Sequence, residues 1–357
     1  MLAHIFSGDL PRSRVLAVLL VLVVAALAFA PFVFPGAKAL NVAAKILIFI
    51  VLVASYDLLL GYTGIVSFAH TMFFGIGAYG VAIASTRLGP GWGSVAIGIA
   101  CALAASLALS LVIGLFSLRV RAIFFAMITL AVASAFLTLA SQLSDFTGGE
   151  DGLSFKTPEV LSPGFSLADE PFLGVNLDGK FIAYYLLFVA ALVLFLLMLR
   201  IVNSPFGRVL QAIRENDFRS EALGYRTVVF RTLSNVLAAG FATLAGAMLA
   251  LWLRYNGPDT SLSFEIMLDI LLIVVIGGMG TLYGAVLGST LFILAQSYLQ
   301  DLMGAVATAS AGLPLLPALF SPDRWLLWLG VLFVLSVYHF PSGIVGRLRD
   351  AAMRGGH

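Results

Sequence analysis

The chain has 357 residues, of which 61% are hydrophobic and only 11% charged, with a formal net charge of +2. A mean hydropathy of +1.05 excludes an ordinary soluble protein, and so small a net charge gives no footing for nucleic acid. The apolar runs do not alternate in segments of about ten residues, which excludes a β-barrel and leaves an all-α polytopic membrane protein, read as a single domain over 1–357.

In chain order, Arg12 and Arg14 precede an apolar run from Val15, and Ala28-Phe29-Ala30 imitates the cleavage site of a secretory signal. Pro31 follows directly and is expected to hinder cleavage, so a retained first span is expected. A span needs about twenty mainly apolar residues. The candidates are 15–31, 40–60, 64–86, 94–117, 121–143, 181–202, 231–253, 264–280, 284–302 and 325–341. Gly61–Gly64 and Gly277–Gly284 read as breaks inside the membrane rather than loops, which leaves the number of spans between eight and ten. The lone Cys101 lies within an apolar run and has no partner for an internal disulfide.

Between the fifth and sixth candidates lies a loop, 144–180, with Asp145, Glu150, Asp151, Glu159, Asp169, Glu170 and Asp178 against Lys156 and Lys180. Thr147-Gly148-Gly149 is expected to form a turn with positive φ, and Asp151-Gly152 another. The loop is either a solvated connector or a cap over a transport route. Gly174 to Lys180 nearly spells a phosphate loop, but Phe181 stands where Ser or Thr must reach magnesium, so no nucleotide site is expected there. No HExxH, CxxC or GxSxG occurs, and no catalytic residue, metal site or cofactor is expected.

The next feature is a polar island, 203–231. Ser204 suits an N-cap and Pro205 the first helical position, while Gly207 stands where a capping box needs Glu. Phe206, Val209, Leu210, Ile213, Ala222 and Leu223 recur at helical spacing, with Arg208, Arg214, Glu215, Asp217, Arg219 and Glu221 on the other face. Gly224 offers a C′ stop. The segment reads as one amphipathic helix, or two with a break near Asn216. It either rests on the lipid surface or docks a partner.

Lys and Arg near span ends set orientation. Arg12 and Arg14, Arg119 and Arg121, the arginines of the island, and Arg347, Arg349 and Arg354 fall on one side if there are ten spans. That side is then the cytoplasm, with both termini inside and the 144–180 loop outside.

Two places break the apolar pattern with Gly-x-x-Gly: Gly61-Tyr62-Thr63-Gly64, followed by Ser67 and His70, and Gly277-Gly278-Met279-Gly280-Thr281. Discontinuous helices in matching positions are where transporters place substrate sites, because freed helix N-termini attract a carboxylate. Thr63, Gly64, Ser67, His70, Gly280 and Thr281 are therefore the candidate substrate-pathway residues. Tight helix packing is the competing reading, and it is preferred for Gly75, Gly77 and Gly80. Ionisable groups within spans cost roughly 2.5–3.5 kcal/mol for Asp on insertion scales, so Asp57, His70 and Asp269 need interior faces, water or partners. Lys45 lies about 18 Å from Asp57 along one helix, too far to pair with it. Gln142 and Gln296 read as span-end or helix–helix groups.

Glu221-Ala222-Leu223-Gly224 resembles the EAA-type loop of ABC importer permeases, whose short helix sits in a cleft of the ATPase subunit. With Leu58–Tyr79, Thr147–Leu153, Ile276–Gly288 and Phe340–Gly346, the chain resembles the LivM-type permeases of branched-chain amino-acid importers. The resemblance implies a membrane subunit that does no chemistry and works by alternating access. It also implies separate ABC ATPase subunits, a homologous second permease forming a heterodimer, and a periplasmic substrate-binding protein in the bacterial inner membrane. It makes Phe206, Arg208, Ile213, Arg214, Glu221, Ala222 and Gly224 the candidate ATPase-coupling residues. Two alternatives stay open: an ion-coupled secondary transporter using Asp57 or Asp269, and an ABC permease for urea or short amides.

Overall fold

The computed structural model describes residues 13–33, 36–117, 122–162, 164–166, 177–309, 321–340 and 342–354. Arg12, Arg119, Arg121, Asp169, Glu170, Gly174, Val175 and Asn176, on which parts of the sequence reading fall, lie outside these residues.

The long helices are α1 (Arg14–Val33), α2 (Ala37–Thr63), α3 (His70–Leu88), α4 (Trp92–Ser117), α5 (Ala122–Gln142) and α6 (Gly179–Val202). The island forms α7 (Pro205–Glu215) and α8 (Asp217–Ala222). After it come α9 (Thr227–Leu253), α10 (Phe264–Gly277), α11 (Leu282–Ala309), α12 (Trp325–His339) and α13 (Gly343–Arg354). Among the described residues, nine helical stretches are long and apolar enough to cross a membrane, and α3 adds a shorter, buried one beside them. The chain is a multi-pass membrane protein.

The core is α2. It is buried nearly end to end, from Val42 to Thr63, while α1, α5 and α12 expose apolar side chains along their length, as lipid-facing helices do. Lipid tails are as apolar as the protein interior, so close van der Waals packing holds such helices together, and small residues permit it. Thus α3 and α9 meet backbone to backbone. A methyl on Gly77 would stand 1.9 Å from the Thr243 carbonyl oxygen, and one on Gly246 would stand 1.8 Å from that of Phe74. Polar ties between helices add to this. Thr243 Oγ1 donates to Ser106 Oγ (2.6 Å), Asn235 Nδ2 to the Ser110 carbonyl (2.9 Å), and Tyr184 Oη to the Leu27 carbonyl (2.5 Å).

Both expected breaks are present. α2 ends at Thr63 with Gly64 in the left-handed region (φ 74°), and α10 ends at Gly277 with Gly278 and Gly280 at φ 110° and 81°. The first break is more than a kink. α3 restarts at His70, whose ring lies beside Ser55, eight residues (about 12 Å) back along α2. Residues 64–69 therefore climb back into the bundle without helical structure. Non-helical backbone at that depth is tolerated only where protein satisfies it. Here the Phe68 N–H donates to Thr129 Oγ1 (3.0 Å) and the Ala69 N–H to Ser67 Oγ (3.3 Å).

At the bundle face opposite the island, the 144–162 stretch is anchored. Gly148, Gly149 and Gly152 have positive φ, and strand β1 (Leu153–Ser154) pairs antiparallel with β2 (Tyr255–Asn256) at the end of α9. Arg254, left-handed at φ 57°, donates from Nη2 to the Leu161 carbonyl (2.9 Å). Partial burial draws its guanidinium down from the ordinary value, with Asp178 opposing. Asp178, within the phosphate-loop lookalike, caps α6 by accepting the Phe181 N–H (2.9 Å).

Candidate functional site

The two breaks come together. Asp57, on the last turns of α2 and 2% exposed, accepts the Gly280 N–H at Oδ1 (2.9 Å). A carboxylate that would be costly within the bundle thus meets a backbone donor freed by the second break. Arg214, from α7, donates through Nη1 to the Gly61 carbonyl of the first break. Its side chain also adjoins the second, since a methyl on Gly280 would stand 2.7 Å from Arg214 Nη1. A methyl on Gly61 would stand 2.4 Å from the Gly280 nitrogen. The start of α13 closes the cluster, with a Gly343 methyl 2.2 Å from Gly278 Cα. Four segments distant in sequence, 57–64, 214, 277–284 and 342–346, therefore form one junction at the face bearing the island.

The island is two helices broken at Asn216 (φ −157°, ψ 100°), whose side chain caps α8 by accepting the Arg219 N–H (2.9 Å). Ser204 holds the N-cap position of α7, but its hydroxyl donates to the Ile201 carbonyl (2.6 Å) instead of capping. The end of α6, two residues upstream, leaves that carbonyl without a helical partner. Leu210 and Ile213 are buried as the spacing predicts, and Phe206 stacks on Phe230 at 5.8 Å. The apolar face does not continue into α8, because the break turns the second helix. Leu223 is 73% exposed and Phe218, which the pattern placed on neither face, is 83% exposed. Ala222 and Arg208 are exposed as well. Glu221 Oε1 accepts from Thr227 Oγ1 (2.7 Å), and Arg231 pairs with Asp217 (2.9 Å), so α8 is tied to the start of α9. Gly224 has φ 91° and open space around it.

The pathway candidates divide between two levels. Thr63, Gly64, Gly280 and Thr281 lie at the junction. Thr63 Oγ1 donates to the Leu59 carbonyl (2.5 Å) and Thr281 Oγ1 to the Gly278 carbonyl (2.8 Å). Ser67 and His70 lie deeper, 2% and 1% exposed. His70 Nε2 is 2.8 Å from Ser55 Oγ, and its ring stands edge-on to Tyr56 at 5.1 Å. Asp269 is not at the junction. It accepts from Gln296, which also accepts from Lys45, so the lysine that cannot reach Asp57 has a different partner. The spacing of residues along single helices could not show that contact, since it joins three. Among the described residues no group of three or more His, Cys, Asp or Glu is placed to hold a metal ion.

Comparison with known proteins bears on what such a junction does. The family described as branched-chain amino acid transport system / permease component matches residues 38–337. The chain is 26% identical over 295 residues to the high-affinity branched-chain amino acid transport system permease protein LivM of Salmonella typhimurium, covering 79% of this chain and 68% of the relative. It is 27% identical over 296 residues to LivM of Escherichia coli, with 79% and 68% covered. To the corresponding permease protein BraD of Pseudomonas aeruginosa it is 28% identical over 279 residues, 75% of this chain and 87% of the relative. No solved structure matches the chain.

Proposed function

Since the chain belongs to the family of branched-chain amino acid transport system permease components, we propose that it is one membrane half of an ATP-driven importer for branched-chain amino acids. Its partners in this reading are two ABC ATPases, a homologous second permease and a periplasmic binding protein that delivers substrate. The membrane is the bacterial inner membrane, with the island and both termini in the cytoplasm. Ten passes, α3 included, agree with that even-numbered topology.

The observation that carries the reading is Arg214. It sits on a short surface helix and reaches the carbonyl of Gly61, beside the Asp57–Gly280 contact that joins the two broken helices. A displacement of α7 and α8 by a nucleotide-driven partner would therefore act directly on that contact. Alternating access then means that ATP closes the ATPase dimer, α8 follows its cleft, and the junction opens or seals the cytoplasmic end of the route. The exposed Phe218, an aromatic of the kind enriched in interface cores, and the exposed Leu223 give the ATPase an apolar anchor.

The test is co-purification of the tagged chain with its ATPases. Phe218→Asp with Leu223→Asp should lower the recovered ATPase at least tenfold, as expected for losing about 2 kcal/mol at the centre of an interface. These side chains make no internal core, so the permease itself should remain folded. Glu221→Lys and Gly224→Arg should act likewise, though the first also breaks the Thr227 tie and the second strains a left-handed residue. Full retention of ATPase in the double variant would refute the docking role.

A further inference from the structure

A cavity of about 450 Å³ opens between α2, α9, α10 and α11, toward the face opposite the island. That volume lies within the range of small-molecule sites, about 300–1,000 Å³. At its wall Lys45 Nζ donates to Gln296 Oε1 (2.9 Å), and Gln296 Nε2 approaches Asp269 Oδ2 (3.4 Å). The rest of the lining has an apolar wall, formed by Ile48, Phe49, Phe74, Leu249, Trp252 and Ile266, and polar residues that include the exposed Asn41, Asp259 and Glu265. A larger hollow of about 610 Å³ between α3, α4 and α5 lacks this character. Its lining is apolar apart from Tyr79, Arg87, Cys101 and Thr147, it has no carboxylate to face the one cation, and Arg87 and Thr147 are already bonded to carbonyls of the chain.

We infer that the Lys45–Gln296–Asp269 cavity is the membrane site for the zwitterion of an apolar α-amino acid. The inference rests on the importer reading above, and it places the substrate one level away from the junction. The chemistry comes from the side chains. A cation and a carboxylate buried among apolar groups are costly unless each is partnered. In the structure a primary amide partners both, its carbonyl oxygen on the ammonium and its NH₂ toward the carboxylate. A zwitterionic α-amino acid offers the same pair in the same sense, a carboxylate for Lys45 and an ammonium for Asp269. Gln296 thus bridges the two charges and gives way when substrate arrives. The aliphatic and aromatic walls take the branched side chain, and a urea or a simple amide leaves them unfilled. Lys45 and Asp57 lie on the same helix twelve residues apart, about 18 Å. α10 and α11 likewise contribute Asp269 and Gln296 to the cavity and Gly277 and Leu282 to the ends of the second break. Three helices therefore connect the site to the junction that Arg214 holds.

The experiment uses the intact complex in lipid nanodiscs and a diazirine analogue of leucine that keeps both charged groups. Irradiation should label peptides 45–49, 249–253 or 264–269, and excess leucine should compete the label away. Lys45→Met and Asp269→Asn should each weaken labelling at least tenfold while ATPase co-purification stays within about twofold. Ile266→Trp, which fills the cavity and leaves its charges in place, should give the same loss and guards against a merely structural effect of removing charge. Label absent from these peptides, or unchanged in all three variants, overturns the assignment. An unaltered complex that takes up leucine without ATP would instead overturn the importer reading on which the assignment rests.

Discussion

Arg214 makes a contact that its neighbours in sequence do not suggest. By spacing it belongs to the polar face of an amphipathic helix, and such arginines usually meet water or lipid phosphate. Here the guanidinium leaves that face and donates to Gly61, whose missing side chain also admits Asp57 and the Gly280 nitrogen. Removing the arginine should separate docking from transmission. Arg214→Met is expected to keep the ATPases bound and to lower substrate-stimulated ATP hydrolysis and uptake at least tenfold, both measured on the reconstituted complex. Normal uptake in that variant would mean that α7 drives the junction by some other contact. His70 illustrates the opposite case. The sequence marks it as a group to explain, and its hydrogen-bond distance to Ser55 and its contact with Tyr56 explain its burial without any ligand.

Among the elements, the α3–α9 contact is the one with least room. Gly77 and Gly246 each lie against a carbonyl of the other helix, and backbone cannot move aside as a flexible side chain can. Gly246→Val should therefore destabilise the protein by on the order of 3 kcal/mol, the upper end of overpacking effects. The midpoint of thermal unfolding in detergent reads this out, and an unchanged midpoint would mean the helices do not pack so closely. Its α3 side was readable in advance, because glycines recurring within an apolar helix signal close approach, but Gly246 and the choice of α9 as the partner were not. The island was only half readable. Its first helix follows the apolar spacing through Leu210 and Ile213, but the turn at Asn216 resets the phase, so Ala222 and Leu223 face outward. Periodicity extrapolates one helix axis, and a single non-helical residue ends its validity.

For the whole molecule, the arrangement has two levels on a shared set of helices, a polar cavity toward one face and a glycine-lined junction at the other. The orientation proposed here makes a direct prediction in a Cys101→Ala background. A cysteine at Lys156, exposed in the loop after α5, should react with a membrane-impermeant maleimide on intact spheroplasts. One at Arg219, exposed on α8, should react only after permeabilisation. The reverse pattern would put the ATPase-facing segment outside the cell and end the importer reading.

The amino-acid sequence by itself determined the class, the helices and the places where they break. The expected spans agree with the helices to within a few residues, except where 64–69 proves to be non-helical and where α11 runs on to Ala309, seven residues past the expected end, because burial in lipid demands long apolar runs and glycine interrupts them legibly. It also determined which residues were expensive: Asp57, His70, Asp269. Only the tertiary structure decided how each is satisfied: Asp57 by Gly280, His70 by Ser55, Asp269 by Gln296 and, through it, Lys45. The physical reason is that the cost of a buried polar group is a property of the residue. Its remedy is a hydrogen bond a few ångströms long, which depends on which helices the packing brings side by side.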